Sequence, residues 1–361
     1  MPPLVSICVV NHNYARFLAA AIDSALAQTG PDVEVVVVDD GSTDASDEVI
    51  AGYGSRVVAV HKPNGGQGSA FNAGFAACSG ELIAFLDADD VLEPGMAAAA
   101  ANELSVCPDL SKVQFMMRLI DGEGTDLGVT IPPRPGYQRS GDLRRHVLRF
   151  RTYPWPSNSA NVYAARALRR VLPLPAEHYR TYCDAYLAKL MPLLGPICSP
   201  RFVAANYRLH GANDFLSVDV GPEWLRRKIA LIELGHDHVR RLALELGIDG
   251  VPERATDLWD TAFLGYRLAS LRLDPARHPI AGDRRVALVA SGAMASLGNP
   301  LFRWPSRMRR TAWFVAAGLA PGRTGREIAR RWLPDGPGPR RGWPRNRSVP
   351  QAPITSHTGA G

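Results

Sequence analysis

The sequence predicts an α/β fold with a doubly wound, mostly parallel sheet flanked by helices. Two observations support this prediction. Short apolar runs alternate with segments of helical periodicity over the first 120 residues. The run VEVVVVDD at 33–40 is continuously β-branched and apolar before its carboxylates, which is typical of a strand covered on both faces. Such alternation indicates parallel strands with helices on both faces of the sheet.

The alternating part contains five predicted strands and four predicted helices. Apolar residues recur at helical spacing in the first helix, and Ser42 is the expected N-cap of the second. The predicted strands are 4–10, 33–40, 56–63, 81–90 and 112–120. The predicted helices are 14–28, 43–52, 68–80 and 94–105.

The pattern loosens after residue 121, where DGEGTDLGVTIPPRPG is predicted to be a loop. We expect helices near 142–151, 165–171 and 181–194, a strand near 201–208, and mostly helix from 222 to about 272. The Pro-, Gly- and Arg-rich end lacks periodicity and is predicted to be disordered. The expected division is an α/β domain over 1–220, a helical basic extension over 221–333 and a disordered tail over 334–361.

Charge is distributed unevenly along the chain. The whole sequence has 41 basic and 35 acidic residues, a net charge of +6. Residues 300–361 alone contain twelve Arg and two acidic residues, so the remainder is slightly acidic. The basic character therefore belongs to the C-terminal end and not to the α/β domain.

Cysteine usage and the absence of long apolar runs indicate a cytoplasmic protein. The five cysteines form no CxxC pair, so neither a disulfide framework nor a zinc site is predicted. The N-terminus enters the strand-like run LVSICVV directly, and no signal peptide is expected. The longest apolar run, TAWFVAAGLA at 311–320, is shorter than the roughly 20 residues of a membrane span.

Polar clusters follow three of the predicted strands, where an open parallel sheet binds its ligands. They are Asn11-His12-Asn13, Asp39-Asp40, and the stretch DADD that contains Asp87, Asp89 and Asp90. Five carboxylates at one edge repel one another unless a cation lies among them. Oxygen ligands of this kind favour Mg²⁺ or Mn²⁺. The alternative is that these residues are helix caps and solvated turns.

Several ordered segments resemble family 2 glycosyltransferases of the GT-A fold. VSICVVNHNYARFLAAAIDSALAQTGPDVEVVVVDDGSTD is similar to the opening of that family, and NGGQGSAFNAGF at 64–75 to the loop and helix before its DxD strand. FLDADD is similar to the DxD signature itself. The resemblance covers roughly residues 4–215 and implies a nucleotide-diphosphate sugar as donor.

The resemblance implies a donor nucleotide site at the first strand ends. Asp39 corresponds to the carboxylate that reads the base, and Asp40 is its neighbour at the same strand end. Asn11, Asn13 and Gly66 are the further expected donor contacts.

The resemblance also implies a metal and diphosphate site. Asp87 matches the first DxD carboxylate, near the ribose or metal, and Asp89 matches the second, the usual metal ligand. Asp90 is expected to support them or to cap a helix. ANYRLHGAN at 205–213 is similar to a family segment beside the diphosphate, so His210 is a further metal ligand and Arg208 a possible diphosphate contact. The alternative for His210 is a capped strand end.

The catalytic base implied by the resemblance is Asp184. YCDAYLAKL at 182–190 is similar to the E-D-x-x-L helix start of the family, although Cys183 stands where Glu is frequent. The alternative is that Asp184 is a simple helix N-cap.

The C-terminal stretch 303–333 does not match the family and mixes Arg with aromatic residues. The aromatic residues are Trp304, Trp313, Phe314 and Trp332. This mixture suits peripheral contact with an anionic membrane, here the inner face of the plasma membrane. A solvated or intersubunit helix is the alternative, and nucleic acid is not expected because no binding module is present.

The sequence therefore predicts a glycosyltransferase that moves a sugar from a nucleotide-diphosphate sugar to an acceptor hydroxyl. The family resemblance implies an inverting, metal-dependent reaction on a saccharide or lipid-linked acceptor, in cell-wall, polysaccharide or glycoconjugate synthesis. A sugar nucleotidyltransferase is the enzymatic alternative, but NHNYAR does not fit its Gly-rich phosphate loop. A non-catalytic transferase-like protein at the membrane is the alternative of another class.

Overall fold

The computed structural model describes residues 3–132, 138–210, 213, 221–252 and 259–331. The strands are β1 (Val5–Asn11), β2 (Val33–Asp39), β3 (Val58–His61), β4 (Leu82–Asp87), β5 (Val91–Leu92), β6 (Lys112–Gln114), β7 (Met116–Ile120), β8 (Asp126–Ile131), β9 (Asn161–Ala164), β10 (Ile197–Cys198) and β11 (Val203–Arg208). The helices are α1 (Ala15–Leu26), α2 (Ser46–Ala51), α3 (Gln67–Ala77), α4 (Met96–Val106), α5 (Arg144–Phe150), α6 (Ala165–Leu168), α7 (Cys183–Leu194), α8 (Pro222–Glu245), α9 (Thr261–Leu273), α10 (Arg285–Gly298), α11 (Trp304–Leu319) and α12 (Gly322–Arg331).

The main sheet has seven strands in the order β10-β6-β9-β4-β1-β2-β3. The pairs among β4, β1, β2 and β3 are parallel, and β9 runs antiparallel to both of its neighbours. The prediction of a mostly parallel sheet is therefore confirmed. In β1 and β2 the register places Asn11 beside Asp39 at the carboxyl edge.

A second sheet of four strands, in the order β5-β11-β7-β8, lies beside this edge. The single strand predicted over 112–120 is wrong, because it is divided between the two sheets. The Phe115 N–H donates to the Ala160 carbonyl beside the main sheet, whereas the Met116 N–H donates to the Phe202 carbonyl beside β11. The chain therefore changes sheets between these two residues.

Two further local predictions are wrong. Part of the predicted loop after residue 121 is β8, an edge strand that pairs antiparallel with β7. The second helix begins at Ser46 and not near residue 43. The Ser42 hydroxyl oxygen accepts from the Asn13 N–H at 2.9 Å and from Asn11 Nδ2 at 3.1 Å, so it is not available to accept from the N–H groups of a helix. Asp44 instead accepts hydrogen bonds from the N–H and hydroxyl of Ser46.

Apolar cores cover both faces of the main sheet. On one face Phe71 of α3 stacks on Phe85 of β4, with ring centroids 4.1 Å apart. On the other face the buried side of α1, including Leu18 and Ile22, packs against Val35 of β2. A third core lies among helices α8 to α12.

The C-terminal helices confirm a helical region after the sheet, with α8 beginning at Pro222. The proposed division at residue 220 stays a prediction, and the predicted disorder of 334–361 lies outside the described residues. Within the described ranges no helix has the length and apolar character needed to cross a membrane.

Candidate active site at the carboxyl edge of the sheet

The ends of β1 and β2 form one hydrogen-bonded unit. Asn11 Nδ2 donates to Asp39 Oδ1 at 2.9 Å, and the Ser42 N–H donates to Asp39 Oδ2 at 3.0 Å. Asn13, with a left-handed backbone at φ +60°, accepts from the Thr43 N–H at 2.7 Å. The predicted donor residues Asn11, Asn13 and Asp39 are thus brought together at one edge.

Asp40 is buried, at 2% exposure, and holds the loop before α3. Its carboxylate accepts from the N–H groups of Gly65 and Gly66 at 2.9 and 2.7 Å and from the Lys62 ammonium. Gly66 has φ +85°, and a Cβ there would lie 2.8 Å from the Arg180 backbone. A glycine is therefore required both by the backbone conformation and by the close approach.

Asp87 ends β4 and lies among amide side chains. Gln67 Nε2 and Asn158 Nδ2 each donate to its Oδ1 at 3.2 Å. Burial, followed by the charges of Asp89 and Asp184, raises the pKa of Asp87 to about 7. The mutual effect of these three carboxylates places them in one electrostatic cluster.

Asp89 faces His210, with Oδ2 2.9 Å from Nε2 and both side chains largely buried. The imidazole lies against the rings of Tyr14 and Phe17, with centroids 5.6 and 5.0 Å away. Asn213 Oδ1 accepts from the His210 N–H at 3.0 Å. Aromatic packing and this backbone bond hold the imidazole toward the carboxylate.

Asp90 and Arg208 form hydrogen bonds that hold the DxD turn in place. Asp90 accepts from the Ser159 hydroxyl at 2.6 Å and from the Arg208 N–H at 3.0 Å. Burial and the neighbouring carboxylates raise the pKa of Asp90 well above its usual range. Arg208 Nε donates to the Asp89 carbonyl at 2.8 Å, so this guanidinium fixes the DxD turn. The diphosphate contact predicted for Arg208 stays a prediction.

The Asp89–His210 pair fits part of a divalent cation site. Asp89 Oδ2 and His210 Nε2 are 2.9 Å apart, at hydrogen-bond distance, and a carboxylate and an imidazole are both ligand types that bind divalent cations. An imidazole beside a carboxylate favours a transition ion, so Mn²⁺ suits this pair better than Mg²⁺. In the part of the chain that the structure describes, no three acidic, His or Cys side chains enclose a metal by themselves. Further ligands would therefore come from substrate phosphates and water.

Asp184 is the second residue of α7, and Tyr182 occupies the N-cap position. The alternative that Asp184 is a simple N-cap is therefore wrong. Burial raises the pKa of Asp184, while the Ala185 N–H and the charges of Lys112 and Lys228 oppose that increase. Tyr182 has φ +62°, a strained conformation for an aromatic residue, directly beside the candidate base.

Two lysines near Asp184 were missed by the sequence analysis. Lys112 opens β6 with 1% exposure, and its ammonium lies 3.4 Å from the Tyr153 hydroxyl. Lys228 comes from α8, and its ammonium lies 3.3 Å from the centre of the Tyr182 ring. Burial lowers the pKa of Lys112 to about 7 and that of Lys228 to about 8. A lysine at the start of a buried strand was a usable signal for Lys112, whereas no local pattern singles out Lys228.

The arrangement comprises two connected parts. Asn11, Asp39 and Ser42 form one end, and the Asp87, Asp89 and Asp184 carboxylates form the other. Asp40 and Gly66 bond to each other and shape the loop between them.

Comparison with known proteins gives a consistent result. The profile of the family described as Glycosyl transferase family 2 matches residues 6–190. An uncharacterised glycosyltransferase of Nostoc sp. is 35% identical over 249 residues, which are 67% of this chain and 76% of that protein. An uncharacterised glycosyltransferase of Rickettsia prowazekii is 41% identical over 103 residues, 28% of this chain and 32% of that protein. The chain thus aligns with three quarters of the first relative and about a third of the second.

Among solved structures, S. aureus TarS 1–349 in complex with UDP-GlcNAc superposes with a TM-score of 0.54. The match covers 90% of this chain and 89% of the TarS chain at 17% sequence identity. Similarity at this identity shows the fold, a GT-A-like mixed α/β domain followed by helices. The chain therefore belongs to glycosyl transferase family 2, whose enzymes transfer glycosyl groups from nucleotide sugars.

Proposed function

We propose that this enzyme transfers a sugar from a nucleotide-diphosphate donor to a hydroxyl of a saccharide or lipid-linked acceptor, with inversion, in polysaccharide or glycoconjugate synthesis. The observation that carries the proposal is the position of Asp184. Asp184 lies in the first turn of α7, close enough to the DxD carboxylates for its charge to raise the pKa of Asp87, and burial raises the pKa of Asp184 itself.

The acceptor hydroxyl is a weak nucleophile at neutral pH. It must lose its proton as the new glycosidic bond forms, and a positioned carboxylate contributes about 10²–10⁴-fold to such a step. In this proposal Asp184 accepts that proton and the sugar is displaced in line from the diphosphate. The charges of Lys112 and Lys228 oppose the increase in the pKa of Asp184 and so favour the ionised form that a base requires.

The donor nucleotide is proposed to lie over the ends of β1 and β2. Asp39 and Asn11 there form a fixed pair that can read the polar edge of a base, with Asn13 beside them. Asp40 and Gly66 contribute by shaping the adjoining loop. TarS was solved with UDP-GlcNAc, so uridine diphosphate sugars are the first donors to test.

A divalent cation is proposed to bind between Asp89, His210 and the donor diphosphate, with Asp87 close by. When bound, it would offset the negative charge that develops on the leaving diphosphate. The chain itself holds the two ligands in position through Tyr14, Phe17 and Arg208.

The family match argues against a sugar nucleotidyltransferase. A transferase-like protein without turnover is the remaining alternative. A carboxyl group placed where its surroundings raise its pKa argues against that alternative, because such a group lowers stability and is expected to be retained for chemistry.

A donor-hydrolysis screen across nucleotide sugars, in Mn²⁺ and in EDTA, tests the proposal. We expect release of one nucleoside diphosphate in Mn²⁺, faster with acceptor saccharides, and little in EDTA. Asp184→Asn should lose acceptor-dependent release, whereas Asp47→Asn on exposed α2 should retain it. Absence of turnover for every donor and acceptor, with nucleotide still bound, would favour the non-catalytic alternative.

A further inference from the structure

The structure changes which residues of the C-terminal stretch are available to a partner. The predicted aromatic surface included Trp313 and Phe314, but both are buried in the helical core, with Trp313 at 5% exposure. Trp332 lies outside the described residues. Trp304, at 65% exposure, is the predicted aromatic residue that the structure leaves on the surface. Any docking surface on this part of the chain must therefore combine Trp304 with side chains other than Trp313 and Phe314.

Helix α11 carries an apolar stripe that faces solvent. The stripe is made of Trp304, Met308, Ala312, Val315 and Leu319. These positions are four, four, three and four residues apart, which places them on one face of an α-helix. All five are exposed, whereas Trp313, Phe314 and Ala317 of the same helix are buried.

Helix α10 carries a second stripe of the same kind. Its exposed apolar residues are Val286, Ala290, Met294 and Leu297. Seven of the eleven exposed large hydrophobic side chains among the described residues lie in the two stripes. Scattered apolar residues on a surface are ordinary, but a concentration on two neighbouring helices marks an interaction site.

The two helices pack together through their other faces. A Cβ on Gly292 of α10 would lie 2.2 Å from the Phe314 ring, and a Cβ on Gly318 of α11 would lie 2.0 Å from Val289. Leu288 of α10 and Phe314 join the core built on α9. The stripes are consequently displayed outward and take no part in holding the helices to the protein.

The charge around the stripes is strongly positive. Residues 285–331 contain nine Arg and one acidic residue, Glu327. Arg303 and Arg309 are exposed beside the α11 stripe, and Arg285 is exposed at the start of α10. An apolar helix face bordered by arginines is the composition of a helix that lies in the interface of an anionic bilayer.

We propose that α10 and α11 dock on an anionic lipid bilayer, with the α11 stripe inserted at the headgroup boundary. A second copy of the chain fits this α10–α11 surface less well than a bilayer does, because two surfaces with this excess of Arg would repel each other. The sequence 332–361 is equally unsuited, since it has four Arg and one Asp. This surface is separate from the proposed active site.

Flotation of the full chain with phosphatidylcholine vesicles, with and without about one third phosphatidylglycerol, tests the proposal. Binding should require the anionic lipid and fall as NaCl rises from about 0.05 to about 0.5 M. Met308→Glu and Val315→Glu should each weaken binding by about tenfold or more. The matched control is Leu244→Glu on α8, since Leu244 and Met308 are 55% and 46% exposed.

Three results would overturn the proposal. The first is a full chain that does not bind anionic vesicles at low salt. It would instead sediment as a dimer, and Val315→Glu would dissociate that dimer. The second is a chain ending at Arg331 that no longer binds vesicles, while Met308→Glu in the full chain binds them fully. This result would assign vesicle binding to residues 332–361. The third is equal weakening by Leu244→Glu. Donor hydrolysis without vesicles should be unchanged in the α11 variants, so a failure here is distinguishable from a failure of the proposed transferase activity.

Discussion

The carboxyl edge of the sheet and the outer face of α10 and α11 both hold side chains in unfavourable surroundings. At the sheet edge, burial raises the pKa values of Asp87, Asp90 and Asp184. On the helices, Met308 and Val315 are apolar groups left in water. Titratable carboxyl groups are buried in the first region, and hydrophobic side chains are exposed in the second.

This difference in side-chain burial indicates that the two regions have separate functions. Buried carboxylates are costly to fold but are already arranged for chemistry, so changing them should affect turnover more than stability. Exposed apolar stripes contribute little to the fold, so changing them should affect location and leave turnover intact.

Asp184→Asn should reduce transfer by about 10²–10⁴-fold, because Asn cannot accept the proton of the acceptor hydroxyl. Donor binding should remain near parental by calorimetry. Steady-state kinetics with Asp47→Asn as the exposed control would check the assignment. Transfer at the parental rate would remove Asp184 from the role of base.

The same variant should not lose stability. Burial raises the pKa of Asp184 in the folded protein above its value in the unfolded chain. Protonated Asp184 therefore adds to the free energy of unfolding below the ordinary carboxyl pKa, and this contribution is lost as pH rises through the raised pKa. Asn stays neutral, so thermal unfolding at about pH 8 should occur at or above the parental Tm, with the difference shrinking toward about pH 4. A large fall in Tm would indicate a structural role instead.

Asp89→Ala should remove most of the Mn²⁺-dependent gain in nucleotide diphosphate affinity, because a hard cation held by few protein ligands tolerates the loss of one poorly. Asp90→Ala is the matched variant for comparison, because it is expected to affect stability. It should lower stability by about 1–3 kcal/mol, since it leaves the Arg208 N–H and the Ser159 hydroxyl unsatisfied. Calorimetry and urea unfolding of both variants measure the two effects. Equal Mn²⁺ dependence in Asp89→Ala and the parent would contradict the metal assignment.

Gly292→Ala should destabilise the helical region by about 1–3 kcal/mol, because the added Cβ meets the Phe314 ring. Gly221→Ala, where a Cβ meets no atom within 4 Å, should cost only what the loss of a Gly N-cap on α8 costs, about 1 kcal/mol or less. Thermal unfolding monitored by circular dichroism would compare the two variants. A neutral Gly292→Ala would show that the α10–α11 contact can readjust freely.

Lys112→Met should move the acidic limb of the kcat/KM profile to higher pH by less than about one unit. The Lys112 charge lowers the pKa of Asp184, so its removal lets that pKa rise. The pKa of Lys112 itself is lowered to about 7, so its charge is present over the acidic limb. Lys112→Arg should keep the parental profile, and an unshifted Met variant would show that Lys112 does not influence the base.

Much of the sheet was predictable because its strands are continuous apolar runs. β2 and β4 lie within the predicted spans, β1 extends one residue beyond its predicted end, and the strand ends place the polar clusters at one edge as expected. The prediction failed where partners in space decide the structure. KVQFMMRLI has the composition of one continuous strand, and nothing local marks Phe115 as the point where the chain changes sheets.

The candidate site shows the same limit. The positions of Asp87, Asp89 and His210 followed from the motifs, and the proximity of Asp89 to His210 rests on the pairing of β5, which follows the DxD turn, with β11. Ser42 carried a capping signal, but Asn11 and the Asn13 N–H donate to its hydroxyl oxygen instead of a helix N–H. The influence of Lys228 depends on α8 packing against α7, a contact between segments that no sequence window contains.

That contact has a consequence for protein engineering. Lys228 belongs to the C-terminal helices, yet it lies on Tyr182 and lowers the pKa of Asp184. A chimera that joined residues 1–220 to the helices of a relative would therefore retune the acidity of the base while leaving every residue of α7 unchanged. Recombination that preserves the pH optimum should place its crossover after Glu245, the last residue of α8.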